Sequence, residues 1–446
     1  MNPMHSRNNA MLSSLTRTAL VGLLLCAGIS APAAEPTNKT DAINATKPPP
    51  AQTVRHFGIA PAGITSPELK ATLEAMDEAS ILPGQKHTIT RMRWTDEAVP
   101  KLFYIGLWGA KVDDALIARM VHTPDLISID LCEPHISDAA MTTLAGLPKL
   151  RSLAIKPIER YVKPGFPPLM YCFPDLPPRT DRPRVTGKGL VPLAAAKELE
   201  GLDLFDTVVG SADLAALAAI PKLAHLSLPL AIDDEALGHL RACKRLHGLT
   251  LGSREIPAAE IARLSTWPNL RKLTLIHATL SDATLEALAT LPAVQQLELI
   301  DCGLTDERLA HLKLPPKLTQ LSLRQNDLAG PGLKYLAGGG VKTLSLMYTD
   351  LDDETIRHLP QLLSVTELDL QHCPKITDAG IRSGVLQGMT QLKRLNFRDQ
   401  KQITDASLAD LARFGHLESL GVRAVGITNA GVERLKQEMP KTFVFR

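Results

Sequence analysis

Apolar residues recur along most of this chain in one short pattern, with apolar side chains at its first, fourth and sixth positions. The first copy is Leu102-x-x-Ile105-x-Leu107, and further copies follow about every 24 residues. They begin at Leu126, Leu150, Leu199, Leu223, Leu246, Leu270, Val294, Leu318, Val341, Val365, Leu392 and Leu417. A fixed period in this range predicts stacked, similar units rather than a single globular core.

Each copy predicts the same succession of elements. The alternation inside the short pattern predicts a buried strand, whose fourth and sixth side chains point inward and whose neighbours point outward. Further along several repeats, Ser or Thr precedes Asp. This pair predicts a helix start, because such side chains accept hydrogen bonds from the free amides of a first turn. The pairs are Ser137-Asp138, Ser281-Asp282, Thr305-Asp306, Thr377-Asp378 and Thr404-Asp405.

Residues 1–34 predict a secretory signal peptide. Arg7 and Arg17 form a basic segment, residues 19–29 form an apolar run, and Ala31-Pro-Ala33 supplies small residues for cleavage. The apolar run is too short for a comfortable membrane span. We therefore expect an exported protein, in the periplasm, on the cell surface or in the medium, with no membrane span after signal removal. An uncleaved anchor is the alternative.

The segment between this leader and the repeats divides into two parts. Residues 35–53 are polar and proline-rich and predict a flexible linker. Residues 54–101 predict an N-terminal cap of imperfect repeats, with strand spacing at Val54 and Ile89. The residues from Thr65 to Glu68 predict a capping box that opens a helix. The repeat array proper then occupies residues 102–446, and such an array needs a cap to cover its first apolar end.

The charge of the chain argues against one class of function, and its cysteine spacing limits the possible disulfides. The net charge is +2, with 49 basic and 47 acidic residues, and Arg7 and Arg17 account for the whole difference. A neutral mature chain argues against general nucleic acid binding, which needs excess Lys and Arg. Cys302 and Cys373 lie three periods apart, roughly 14 Å at strand spacing, which excludes a disulfide between them. A bridge from Cys132 to Cys172 stays open.

The repeat resembles the leucine-rich repeat, whose core motif is L-x-x-L-x-L-x-x-N/C-x-L. Residues 318–328 match it fully, and residues 294–304 match it with Cys302 in the N/C position. The Ile-Thr-Asp-Ala-Gly run at 376–380 is similar to the cysteine-containing branch, known from ubiquitin-ligase substrate receptors and from bacterial secreted proteins. The resemblance implies an α/β solenoid, a curved horseshoe with a parallel β-sheet on its concave face and helices on its convex face. Most repeats depart from the motif with Thr, Ala or Val in the N/C position, and no F-box-like segment precedes the array.

Two features are candidate binding sites. The first is a proline-rich insert at about residues 157–183, between the repeats at Leu150 and Leu199; inserts in such arrays often lie on the binding face. Its aromatic residues are Tyr161, Phe166, Tyr171 and Phe173. The second is the outward row of the sheet, where exposed apolar side chains have no structural need to be apolar. Its candidates are Tyr104, Trp108, Phe205, Ile276, Ile300, Arg324, Met347, Arg394, Arg398 and Arg423.

No catalytic motif is evident. The chain contains no H-E-x-x-H, G-x-S-x-G, Walker or G-x-G-x-x-G sequence, and His277, His372 and Cys373 lack the paired spacing of metal ligands. We therefore expect no cofactor and no metal. The leading hypothesis is a monomeric, exported, non-enzymatic scaffold that binds a protein or an envelope polymer. The alternative is an adaptor or ubiquitin-ligase-like substrate receptor inside a cell. An enzyme with its site at the insert is a third hypothesis.

Overall fold

The computed structural model describes residues 66–79, 91–94, 101–109, 111–132, 134–157, 182–252, 254–423 and 425–445. The predicted signal peptide, the linker and the strand spacing at Val54 lie outside these ranges. So do residues 158–181, with Tyr161, Phe166, Tyr171, Phe173 and Cys172, so the structure does not bear on the Cys132–Cys172 bridge.

Among the described residues, fifteen strands form one long sheet, and two further short strands form a parallel pair of their own. The strands of the long sheet are β1 (Arg91–Trp94), β2 (Leu102–Trp108), β3 (Ser128–Cys132), β4 (Ser152–Lys156), β5 (Gly201–Asp203), β6 (His225–Leu228), β7 (Gly248–Gly252), β9 (Lys272–Ile276), β11 (Gln296–Ile300), β12 (Gln320–Ser322), β13 (Thr343–Ser345), β14 (Glu367–Asp369), β15 (Arg394–Asn396), β16 (Ser419–Gly421) and β17 (Phe443–Phe445). The separate pair is β8 (Glu255–Ile256) and β10 (Thr279–Leu280).

The strand register confirms the predicted parallel sheet. Equivalent residues of consecutive repeats lie opposite each other, so Leu297 of β11 pairs with Leu273 of β9 and with Leu321 of β12. Only the first strand of the long sheet, β1, runs antiparallel to its neighbour β2. Since each repeat adds one strand in the same register, outward side chains at one position line up as a row along the sheet.

Short helices connect the strands. The α-helices are α1 (Pro67–Ala79), α2 (Asp114–Ala118), α3 (Asp138–Ala145), α4 (Gly187–Leu190), α5 (Asp234–Ala242), α6 (Ala258–Ser265), α7 (Asp282–Ala287), α8 (Asp378–Arg382), α9 (Leu408–Leu411) and α10 (Asn429–Glu438). The 3₁₀ helices are Arg119–His122, Val191–Ala195, Ala212–Ala219, Leu288–Thr290, Arg308–Ala310, Pro331–Leu336, Thr355–Gln361, Leu386–Gly388 and Asp405–Ser407.

The core is one continuous apolar layer between the sheet and these helices. In the repeat that starts at Val294, the residues at its first, fourth and sixth positions, Val294, Leu297 and Leu299, are fully buried, and the same holds along the array. Each leucine removed from water in this way contributes about 1.5–3 kcal/mol. The repeating pattern of the sequence is therefore the pattern of contacts that joins one repeat to the next.

Most predicted helix caps form as expected. The side chains of Ser137, Ser281, Thr377 and Thr404 each accept a hydrogen bond from an amide in the first turn of the following helix. Thr305 does not, because the helical segment in its repeat is a single 3₁₀ turn that begins at Arg308. Ser66 caps α1 by accepting a bond from the amide of Leu69 at 3.2 Å, and Thr65 of the predicted capping box lies outside the described residues.

Aspartates at several helix starts have a second role that sequence reasoning missed. Asp353 accepts hydrogen bonds from both the amide and the hydroxyl of Thr377, at 2.7 and 2.6 Å, and Asp378 binds Thr404 in the same way at 2.8 and 2.6 Å. Asp405 then binds Thr428. Each carboxylate thus ties its own helix start to that of the next repeat.

The array continues across the insert without interruption. Ser152 of β4 pairs in parallel register with Gly201 of β5, the next strand of the sheet. Asp138 binds the amide and hydroxyl of Thr186 at 2.7 Å each, although the two residues are 48 positions apart. The residues on either side of the insert therefore belong to consecutive, normally stacked repeats.

Candidate binding surface on the concave face

Positions within a repeat are counted here from the first apolar residue of the strand pattern. Positions three, five and seven point away from the core, onto the concave face of the sheet. Tyr104 and Arg394 occupy position three, whereas the other predicted row residues occupy position seven. Phe205, Ile276, Arg324, Met347 and Arg423 are half-buried on this face.

The expectation that the whole row is exposed was wrong for three residues. Ile300 is 1 % exposed, Arg398 is 6 % exposed, and Tyr104 is also buried. The cause is the close strand spacing of ~4.8 Å, which stacks side chains of neighbouring repeats against one another. Ile300 lies between Ile276, its register partner, and Arg324, whose carbonyl accepts a bond from the next residue, Asp301.

Two predicted residues at position three are held by polar partners. The Tyr104 hydroxyl donates to Asp130 Oδ2 at 3.2 Å, and Lys156 binds the same oxygen at 3.2 Å. Arg394 forms ion pairs with Glu367 and, at 3.9 Å, with Glu418. Because Arg394 is exposed, these pairs contribute little to stability. Arg394 lies at the opposite end of its strand from Arg398, so the predicted arginines do not form one cluster.

Trp108 lies on β2 and pairs through its backbone with Cys132. The structure does not describe the Trp108 side chain, and the insert aromatics are outside the described ranges. Their role in binding stays a prediction.

A second row, at position eight, was not foreseen. Six consecutive repeats place a residue other than glycine there with a positive φ angle, between 49° and 63°. We call these residues the left-handed row: His277, Asp301, Gln325, Tyr348, His372 and Asp399. A side chain in this conformation costs on the order of 1–3 kcal/mol. Glycine avoids that cost and does occupy the position in the first repeat, as Gly109 with φ 99°.

Side chains of the left-handed row contact one another along the edge of the concave face. His277 Nδ1 lies 2.7 Å from Asp301 Oδ2. Two repeats further on, the ring of Tyr348 stacks on His372, with centroids 4.4 Å apart, and His372 Nε2 lies 3.1 Å from Asp399 Oδ2. Gln371 also donates to Asp399, at 3.1 Å. The result is a preorganised strip of imidazole, carboxylate and aromatic groups.

Asp369 lies at position five beside this strip. Burial raises the pKa of its carboxyl group, although a bond from the Gln371 amide and the charges of Arg398 and His372 act in the opposite direction. Its Oδ1 also accepts a bond from Asn396 Nδ2 at 3.0 Å. Asp369 is therefore a carboxyl group that the fold keeps partly desolvated on the concave face.

The sheet also shows what the N/C position does. Asn326 is fully buried, and its Nδ2 donates to the carbonyl of Leu299 in the preceding repeat at 2.7 Å. Cys302 and Cys373 donate to the equivalent carbonyls, of Leu275 at 3.4 Å and Leu346 at 3.2 Å. Burial raises the pKa of the Cys302 thiol to about 12, so this cysteine is a structural donor rather than a nucleophile.

Two kinds of feature are absent from the described residues. Within the ranges that the structure covers, no three His, Cys, Asp or Glu residues group so as to hold a metal ion. No helix among these residues has the length and apolar character to cross a membrane. A cavity of about 10 Å³, lined by Leu321, Val341 and Leu344 among others, lies in the apolar core rather than on the concave face.

Comparison with known proteins supports the assignment of the fold. A family model described as leucine-rich repeat matches residues 315–337 and 361–383. No curated protein matches the chain significantly in sequence. With the register-matched parallel sheet and the repeat of about 24 residues, the match identifies the chain as a leucine-rich repeat protein with an α/β solenoid fold.

Several solved structures are similar to the chain. An internalin from Listeria monocytogenes is 18 % identical, with 78 % of this chain and 90 % of that chain covered and a TM-score of 0.38. Rad7, in a complex with Elc1 from yeast, is 17 % identical, with 75 % and 84 % covered and a TM-score of 0.41. The structure of a TLR13–ssRNA13 complex is 17 % identical, covers 77 % of this chain and 49 % of that chain, and has a TM-score of 0.42. The chain thus spans about half the length of the TLR13 chain.

Proposed function

We propose that this protein is an exported scaffold that acts by binding rather than by catalysis, and that it holds a protein partner or an envelope polymer along its concave face. The leucine-rich repeat architecture is that of a protein-binding scaffold, because stacked strands present one long, continuous surface. The leader over residues 1–34 supports export. We expect the proline-rich insert at residues 157–183 to contribute to the same surface.

The left-handed row is the observation that carries this proposal. At each of its positions glycine would avoid strain of about 1–3 kcal/mol, yet the chain uses His, Asp, Gln and Tyr. Beside it, Ile276 and Met347 keep apolar side chains half-buried on the outward face of the sheet, and Phe205 does so three repeats before the row begins. Strained polar residues next to accessible apolar ones are expected where side chains serve recognition.

A capture experiment tests the surface. The mature protein, immobilised, is exposed to envelope extract, and bound material is compared between the wild type and the double variant Trp108→Ser, Phe205→Ser. We expect at least ~10-fold weaker capture by the double variant, because apolar anchors commonly dominate binding energy. The matched control is Tyr335→Ser, an exposed aromatic residue on a 3₁₀ segment behind the sheet. Equal capture by the double variant, with circular dichroism unchanged, would contradict the proposal.

Export is tested separately. The full-length chain is expressed in a bacterial host, fractions are prepared, and the N-terminus of the recovered protein is sequenced. We expect the recovered protein outside the cytosol to begin near residue 34, after the Ala31-Pro-Ala33 segment. A cytosolic protein with an intact N-terminus would instead support the intracellular adaptor alternative.

A further inference from the structure

Arg324 occupies position seven near the middle of the array. Its neighbours in the sheet are Ile300 in the preceding repeat and Met347 in the following one. The amide of Asp301 donates to the Arg324 carbonyl at 3.2 Å, and the amide of Gln325 donates to the Met347 carbonyl at 2.9 Å. Arg324 is half-buried and Ile300 beside it is fully buried, so the arginine lies on the concave surface next to an apolar side chain.

Two polar side-chain atoms near this position have no hydrogen-bond partner among the described residues. Arg324 Nε is buried and has no hydrogen-bond partner, and the same is true of Ser345 Oγ. Ser345 is the register partner of Ser322, which precedes Arg324 by two residues and lies on the same face. A buried polar group without a partner is costly in a folded protein, and native structures seldom leave one unexplained. Arg324, Ser322 and Ser345 thus present a guanidinium and two hydroxyl groups on the same face of two adjacent repeats.

The charge of Arg324 is also unmatched. Among the residues that the structure describes, no carboxylate forms an ion pair with it, in contrast to Arg394, which contacts Glu367 and Glu418. The carboxylate on the preceding strand, Glu298, is paired with Lys272 at 2.7 Å. On the other side lies Asp369, whose bonds go to Asn396 and the Gln371 amide. Among the described residues, Arg324 is therefore an arginine of the concave face whose charge is not paired with a carboxylate.

We propose that Arg324, Ser322 and Ser345 form a binding site for a single carboxylate of a protein partner, an acidic side chain flanked by apolar residues. The guanidinium fork matches a carboxylate in a bidentate manner. Glu298 and Asp369 lie on the two flanking strands, opposite Ser322 and Ser345, so a doubly charged phosphate would meet repulsion that a monoanion meets less. Beside the arginine, the half-buried Met347 of the following repeat supplies an apolar contact, and Ile300 of the preceding repeat covers the other side. This inference rests on the proposed binding function and names the chemistry of the partner segment.

The test uses defined peptides and the whole mature protein. A fluorescent acetyl-Leu-Glu-Leu-Glu-Leu-amide peptide is titrated and followed by anisotropy, beside a peptide with Gln in place of Glu and one with phosphoserine in place of Glu. The variants are Arg324→Gln, Arg324→Lys and Ser345→Ala. The matched control is Arg357→Gln, an exposed arginine on the Thr355–Gln361 segment that contacts Glu354. Circular dichroism and the unfolding midpoint verify that each variant is folded.

We expect the Glu peptide to bind the wild type, and the Gln and phosphoserine peptides to bind more weakly. Arg324→Gln should weaken Glu-peptide binding about tenfold, since charge-assisted bidentate contacts are lost. Arg324→Lys and Ser345→Ala should weaken it several-fold, and Arg357→Gln should leave it unchanged. Higher salt should weaken the wild-type interaction.

Two outcomes would overturn the site. If the wild type, Arg324→Gln and Ser345→Ala bind the Glu peptide equally, these residues do not form the binding site. If the phosphoserine peptide binds more tightly than the Glu peptide, the ligand of the site is a phosphate and not a carboxylate. Failure here is separable from failure of the proposed function. If partner capture from envelope extract still depends on Phe205 while the peptide does not depend on Arg324, the scaffold function stands and only the carboxylate site falls.

Discussion

Replacement of Asn326 by alanine should be among the most damaging single changes in the array. Its side chain makes at least five hydrogen bonds to the backbone of described residues. Nδ2 donates to three carbonyls, those of Leu299, Leu323 and Arg324, and Oδ1 accepts from the amides of Cys302 and Leu304, at 3.0 and 3.1 Å. Alanine would leave both amides buried without an acceptor.

The magnitude follows from those amides. Each buried N–H without a partner costs about 1–3 kcal/mol, so the two together predict a loss of about 2–6 kcal/mol in unfolding free energy. The measurement is urea denaturation followed by circular dichroism, with Asn429→Ala as the control. Asn429 is exposed in the first turn of α10, where alanine should change stability by no more than about 0.5 kcal/mol. A loss below about 1 kcal/mol for Asn326→Ala would refute the reasoning.

Three further predictions concern stability. Burial raises the pKa of Asp378, but bonds from Ser407 and Thr404 outweigh it and lower the pKa below the unfolded value of 3.8. Its contribution is therefore present above that value and lost as pH falls through the folded pKa, so Asp378→Ala should cost about 1–3 kcal/mol at pH 7 and less in acid. The pH dependence of stability has the opposite sign for Asp369, because burial raises the pKa of its carboxyl group. The free energy of unfolding should therefore decline as pH rises through the pKa of the folded state. Asp369→Asn should flatten this decline in urea denaturation curves measured between pH 4 and 8. Val341→Ile extends a side chain into the core cavity of about 10 Å³ and should raise the free energy of unfolding by up to about 1 kcal/mol, measured as a higher urea midpoint. A lower midpoint would indicate overpacking.

The fold could be predicted from the sequence because the same apolar pattern recurs in every repeat. Leu297 alone predicts nothing, but its equivalents Leu273 and Leu321 recur at the same spacing, and the structure pairs all three in register. The caps at Ser137 and Thr377 were also predictable, because they depend on contacts within a few residues.

What the sequence did not reveal depends on contacts between repeats. Asp353 and Asp378 satisfy the next repeat's helix start, and a reading of one repeat at a time treats them as local caps. The prediction that the outward row is exposed was wrong at Ile300 for the same reason, because neighbours about 24 residues away on either side cover its side chain. The left-handed row carries a weak sequence signal, one polar or aromatic residue directly before the N/C position, as in Gln325 and His372. That signal is recognisable once the positive φ angles are known.

The bond from Asp138 to Thr186 has a consequence for how such a protein could change over time. The two repeats that flank residues 158–181 contact each other directly, through hydrogen bonds on the helix side and through strand pairing in the sheet. We therefore expect that stretch to accept new lengths and compositions while the rest of the molecule folds as before. New specificity could arise there by grafting, without rebuilding the scaffold.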